Sequence, residues 1–166
     1  ARAVARYEGP ARTLTRRLKY ADRLDLAPAM GRWMARAGAE IIAESDIILP
    51  VPLHRTRLWR RRFNQAAVLA HHVARHTGRP CETHWLTRVK RTRPQVGLTR
   101  EERADNLQGA FHLSPEAATQ IQGARLLLID DVLTTGATLN ACARALMKAG
   151  AARVDALTFA RVVSGP

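Results

Sequence analysis

Apolar positions recur in two rhythms along this chain, and the way they alternate predicts its architecture. Residues 1–45 read as helical with polar breaks. Pro10 suits a first helical turn, and Leu14, Leu18, Leu24 and Leu26 supply apolar positions. A second helix is expected over Leu26–Ala43, with Met30, Trp33, Met34 and Ala37 at helical spacing as a core-packing face. Asp46–Val51 is a short β-branched run, the mark of a buried strand, and Pro50 and Pro52 end it. Helical spacing returns over Asn64–Thr77, where Ala66, Leu69, Ala70 and Val73 fall on one face and Gly78 and Pro80 stop the helix. Strands are expected at Trp85–Val89, Phe111–Leu113, Arg125–Ile129 and Val154–Val162, and a helix at Thr138–Ala149 stopped by Gly150. Strands alternating with helices predict an α/β fold, a parallel sheet flanked by helices. The expected division is a helical N-terminal segment over residues 1–45 and a core domain over residues 46–166.

The polar stretches change this picture in two places. Leu53–Arg62 reads as a basic loop, and Lys90–Asn106 is so long, polar and charged that it reads as a mobile loop. No apolar run approaches the roughly 20 residues needed to cross a bilayer. Arginines punctuate the start, so no signal peptide is expected, and the cytoplasm is the expected compartment. The chain opens on Ala1 rather than Met, which suggests that something precedes it in the natural protein. Cys81 and Cys142 lie far apart without neighbouring Cys or paired His, so they read as buried thiols and not as a metal site.

Charge adds a constraint on partners. The formal net charge is +13, carried mostly by arginine, with lysine only at positions 19, 90 and 148. Arginine's planar fork matches phosphate oxygens, so phosphorylated ligands or nucleic acid are both in view. A genome rich in arginine codons would give the same composition, and charge alone does not decide.

Chemistry concentrates in one segment. The apolar run Leu126–Ile129 is followed at once by Asp130 and Asp131, then by Val132-Leu133-Thr134-Thr135-Gly136-Ala137-Thr138, after which helical spacing resumes at Leu139, Cys142 and Leu146. Two carboxylates thus stand at the carboxyl end of a buried strand, where ligands bind in open α/β sheets. A hydroxyl-rich turn leads into a helix N-terminus, whose free N–H groups stabilise a phosphate. Thr134, Thr135 and Thr138 add hydroxyl donors, and Gly136 lets the backbone approach the anion. Asp130 and Asp131 would repel phosphate, but they can accept hydrogen bonds from sugar hydroxyls or hold a cation. The segment describes a sugar phosphate site. A Walker A loop is excluded because no lysine follows Gly136, and no G-x-G-x-x-G is present.

The same string resembles the phosphoribosyl pyrophosphate (PRPP) motif of type I phosphoribosyltransferases. Further pieces are similar to the ComF family: Tyr7-x-Gly9, Leu18-Lys19-Tyr20, Pro50-Val51-Pro52-Leu53-His54, Arg62-Phe63-Asn64-Gln65, and Arg88, Thr92, Gln95, Leu98, Arg103, Asn106 and Phe111 in order. The similarity spans nearly the whole chain. Two departures stand out. Arg61-Arg62 replaces the Arg-Gly that the family more often places before Phe-Asn-Gln, and the family's N-terminal four-cysteine zinc module has no counterpart here, so no zinc is expected in this chain.

The resemblance implies a type I phosphoribosyltransferase-like fold in which residues 1–45 form a hood over the acceptor. It implies that Asp130 and Asp131 act as the catalytic pair, holding the ribose hydroxyls directly or through Mg²⁺. Thr134, Thr135, Gly136, Ala137 and Thr138 would bind the 5′-phosphate, and Pro52, Leu53 and His54 would meet the pyrophosphate. Arg93, Gln95, Arg103 and Asn106 would belong to a flexible loop closing over it. The implied function is transfer of phosphoribose from PRPP to an unknown acceptor with release of pyrophosphate, linked to DNA uptake and competence. The alternative is a PRPP-responsive or single-stranded-DNA-binding factor without turnover. For weak, non-specific DNA binding, Trp59 and Phe63 interleave with Arg57–Arg62 and could stack bases, although their spacing suits helical core packing equally well.

Overall fold

The computed structural model describes residues 1–19, 21–89 and 109–163, with backbone alone at 21, 22 and 60. The elements, in chain order, are β1 (Arg2–Arg6), α1 (Gly9–Leu18), a 3₁₀ segment (Ala21–Leu26), α2 (Ala27–Ala37), α3 (Ala39–Ala43) and β2 (Ile47–Pro50). They continue with α4 (Arg55–Arg61), α5 (Gln65–Thr77), β3 (Leu86–Arg88), β4 (Phe111–Leu113), α6 (Pro115–Gln120), β5 (Arg125–Leu133), α7 (Ala137–Lys148) and β6 (Arg153–Arg161). Four strands form one parallel sheet in the order β1-β6-β5-β2, and β3 pairs with β4 in a separate antiparallel ribbon.

The centre of the sheet is β5, and its sequence explains why. Leu126, Leu127, Leu128 and Ile129 are all fully buried, because successive side chains of a strand point to opposite faces and both faces are covered. Leu126 and Leu128 pack with Leu139, Cys142 and Leu146 of α7 and with Trp85 and Ile121. Leu127 and Ile129 pack with Leu18, Met30, Met34, Leu69 and Val73 from the helices on the other side. Each such side chain contributes about 1.5–3 kcal/mol by leaving water. Residues 1–45 therefore share a core with the sheet. At its lower end β5 is clamped to the start of β2: Asp46 accepts from the Arg125 backbone N–H and from its guanidinium, each at 2.8 Å. That pairing holds the Asp46 carboxyl down to about 2.

Several elements differ from the sequence reading. The segment 2–6 is a strand, since β6 offers it a parallel partner through Arg2↔Leu157 and Ala5↔Ala160. The expected helix over 26–43 is two helices broken at Gly38, whose backbone lies so close to β6 that a Cβ would stand 2.6 Å from Leu157 Cδ2. Met30 and Met34 are buried as expected, whereas Trp33 is 46% exposed and tilts against Phe159. The supposed basic loop contains α4, whose first turn is capped by His54. The strand after Arg125 runs on to Leu133, so both aspartates lie within it. Cys142 is buried and Cys81 half-buried. Among the described residues no helix is long and apolar enough to cross a membrane.

Candidate functional site

The carboxyl edge of the parallel sheet collects the chemistry. Strand alternation continues past Ile129 and sets the roles of the two aspartates. Asp130 follows the register of Leu126 and Leu128 toward α7, and Asp131 follows Leu127 and Ile129 toward the N-terminal helices. Asp131 is 5% exposed, and its Oδ2 lies 3.1 Å from Lys19 Nζ at the end of α1. This contact is an ion pair without hydrogen-bond alignment, so Oδ2 has no aligned donor among the described residues. Asp130 accepts from the Asp131 backbone N–H at 2.8 Å. Burial, and then the charge of Asp131, push the Asp130 carboxyl well above the usual carboxylate range, against the weaker pull of Lys19.

Beyond Leu133 the chain turns through Thr134, Thr135 and Gly136. Gly136 has φ 76°, a left-handed conformation that glycine adopts without strain, and it is the N-cap of α7. No side chain caps this helix start, so its first N–H groups point into the turn. Thr134 and Thr135 are exposed and Ala137 and Thr138 half-buried. Asp130, Val132, Leu133, Thr134, Gly136, Ala137, Thr138 and Leu139 line one small concavity. Asp130 and the sequence-expected 5′-phosphate turn therefore line the same concavity.

The second turn at this edge follows β2. Register pairs Pro50 with Ile129, and the Val51 N–H donates to the Ile129 carbonyl at 2.9 Å, which carries Pro52, Leu53 and His54 out beside the aspartates. His54 Nδ1 accepts from the Thr56 N–H at 3.3 Å and lies 2.9 Å from Thr56 Oγ1. A ring that accepts at Nδ1 carries its hydrogen on Nε2. Asn64 holds the loop in place: its Nδ2 donates to the Val51 carbonyl and its Oδ1 accepts from the Ala66 N–H, each at 3.0 Å. Arg62 closes α4 with φ 64°, the one described non-glycine residue in the left-handed region. Trp59 is 90% exposed, so it is not a core residue. Trp59 and Phe63 do not share a helix, because α4 ends at Arg61.

Two residues of this site stood in the family-like strings of the sequence, but without a role beside the acidic pair. Arg88 is buried, lies over the Phe111 ring at 5.5 Å, and bridges by its backbone to His54. Burial, and then the neighbouring Arg57, lower its pKa, and Asp130 acts on it in the opposite sense. A signal existed: Arg88 occupies the same inward phase of β3 as the buried Leu86. Lys19 was legible as the centre of the Leu18-Lys19-Tyr20 string, though nothing local pointed it at Asp131. Arg93, Gln95, Arg103 and Asn106 lie outside the described residues.

Comparison with known proteins bears on the family and the fold. Residues 64–166 match the family model described as phosphoribosyl transferase domain. The "DNA utilization protein YhgH" of Salmonella typhi is 34% identical, over 97% of this chain and 71% of that protein. The "Competence protein F" of Haemophilus influenzae is 31% identical, over 95% of this chain and 71% of that protein. Among solved structures, a glutamine PRPP amidotransferase from B. subtilis superposes with a TM-score of 0.58 at 17% identity. That match covers 87% of this chain but only 30% of the amidotransferase, and it speaks to the fold alone.

Proposed function

We propose that this chain, which belongs to the phosphoribosyl transferase domain family and to its ComF-type members, binds PRPP at the carboxyl edge of its sheet and passes the phosphoribosyl group to an acceptor with release of pyrophosphate. One observation carries the reading: the half-buried carboxyl of Asp130 and an uncapped helix start behind a left-handed glycine line the same concavity, with Asp131 next to it on the strand. The 5′-phosphate would take the free N–H groups of α7 together with the hydroxyls of Thr134, Thr135 and Thr138. Asp130 and Asp131 would accept from the pentose hydroxyls. Pro52, Leu53 and His54 would face the pyrophosphate, with Arg88 as a buried cation behind them.

The described residues hold no cluster of three or more metal-ligating side chains. That donor set fits a Mg²⁺ carried in on pyrophosphate oxygens and shared with one or two carboxylates, here Asp130 and Asp131. Such an ion would supply charge neutralisation on the leaving pyrophosphate. The chain's own contribution is to fix the sugar and its phosphate while C1 is exposed to the acceptor. Residues 1–45 would shape the acceptor side, and the work would be cytoplasmic. By the names of its relatives, the reaction or the binding event would serve DNA uptake and use.

Calorimetry with PRPP and Mg²⁺ tests the binding, with the double variant Asp131→Asn, Thr135→Ala expected to abolish it. Unchanged affinity in the double variant would sink the assignment. Pyrophosphate release across a panel of bases separates the two forms of the proposal: binding without release identifies a PRPP-responsive protein.

A second reading concerns single-stranded DNA. Trp59, 90% exposed on an arginine-rich helix, forms with Arg55, Leu58 and Arg62 an open groove that could seat a base. This binding would be weak, non-specific and steeply salt-dependent. A gel shift across salt concentrations, with Trp59→Ala alongside, tests it.

A further inference from the structure

We infer that Lys19 is the resident counter-cation of the acidic pair, a positioning residue that keeps divalent metal off Asp131 until the ligand brings its own. The inference rests on reading Asp130 and Asp131 as the sugar subsite. It starts from strand alternation. Because Asp131 points toward the N-terminal helices, its carboxylate emerges where α1 ends. Leu18, fully buried, anchors that end, and the Lys19 backbone N–H is tied back to the Arg16 carbonyl at 3.2 Å. The Lys19 side chain, 26% exposed, can therefore settle against Oδ2 at 3.1 Å, on a carboxylate that is itself 7% exposed. A buried carboxylate needs a compensating charge. An ammonium on a tether supplies it without stripping water from a strongly hydrated Mg²⁺. Ammonium and divalent ion cannot both sit on the same buried oxygen without repelling one another. The free protein thus offers no uncompensated carboxylate at Asp131 to a metal.

Removing the ammonium reverses this. Lys19→Met leaves a buried, uncompensated carboxylate next to Asp130, and the readiest substitute in solution is a divalent cation. The probe is Mn²⁺ alone, followed by electron paramagnetic resonance without any sugar phosphate, so the result does not depend on whether PRPP binds. The wild-type chain is expected to leave Mn²⁺ free in solution, Lys19→Met to acquire one saturable Mn²⁺ per chain, and Lys19→Met with Asp131→Asn to lose it again. Lys19→Arg, which restores the charge, is expected to bind none. Circular dichroism establishes that each variant is folded, and Lys19→Gln replaces Lys19→Met if the latter is not. The inference is overturned if wild-type protein already binds Mn²⁺ in a way that Asp131→Asn abolishes. It is equally overturned if the folded neutral variant gains no Mn²⁺, which would mark the contact as a purely structural ion pair, or if the gained ion survives Asp131→Asn. Should both neutral variants fail to fold, the wild-type and Asp131→Asn titrations still decide: Mn²⁺ free in both supports the inference. Failure of PRPP to bind the wild-type chain would instead count against the proposed function.

Discussion

Two turns at the carboxyl edge of the sheet both pass through a left-handed residue, and they do so with opposite chemistry. The turn after β5 uses Gly136 at φ 76°, and the turn after α4 uses Arg62 at φ 64°. At Gly136 the conformation is free of side-chain strain, and the following helix start stays open toward Asp130. At Arg62 a Cβ crowds the backbone, at a cost of about 1–2 kcal/mol. The surroundings compensate, chiefly through Asn64, which ties the next helix to Val51. What the arginine supplies in return is a guanidinium lining the groove around Trp59. The difference teaches that the first turn is shaped by what it must let in, and the second by the side chain it displays.

The comparison can be broken most forcefully at Gly136. Gly136→Val places a β-branched residue at positive φ, and the fold should lose roughly 2–3 kcal/mol in urea titrations. PRPP binding should vanish with it; a variant of wild-type stability and affinity would remove the glycine from the site. Asn64→Ala removes a helix cap and the support of the Val51 carbonyl, and should cost about 1–2 kcal/mol. A smaller loss of PRPP affinity is expected, since the residues that Asn64 steadies face the pyrophosphate. Arg62→Gly should act in the opposite direction. Relief of strain exceeds the added entropy of the unfolded glycine by roughly 0.5 kcal/mol, seen as a higher urea midpoint at unchanged slope. A lower midpoint would show that the guanidinium itself holds the turn.

The smallest effect sharpens the comparison through pH, because only the turn after β5 begins at a perturbed carboxyl. The folded Asp130 pKa is raised above its ordinary value of 3.8 by burial and by Asp131. Its contribution to stability is therefore fully present below that value and is lost as pH rises through the folded pKa. Asp130→Asn should abolish this dependence, so the stability difference between variant and wild type should grow with rising pH. Parallel pH profiles for the two proteins would contradict the raised pKa.

Much of this was legible in the chain. The run Leu126–Ile129 had to be a strand buried on both faces, because nothing in it is polar enough to meet water, and the string from Asp130 to Thr138 marked the candidate site at its end. Other elements were not legible for identifiable reasons. The segment Arg2–Arg6 alternates alanine and valine between arginines over too few residues to signal a strand, and only the waiting edge of β6 makes it one. Helix α4 has no apolar stripe, and its start depends on a histidine cap that composition does not announce. Gly38 gave no hint that a helix breaks there, because the reason is its close approach to Leu157.

By itself, the sequence determined which residues could bind an anion and which could hold a sugar, since those capacities belong to local groups: free N–H donors, hydroxyls, carboxylates. Only the tertiary structure decided how the carboxylates divide their roles. Adjacent residues on a strand face opposite sides of the sheet, so what each aspartate meets depends on what is packed there. Asp131 meets Lys19 from a helix more than a hundred positions earlier, while Asp130 sits on the side of α7, close enough to Arg88 for their charges to interact. Contacts over that separation depend on the fold, because no local pattern encodes which helix end will cover which face.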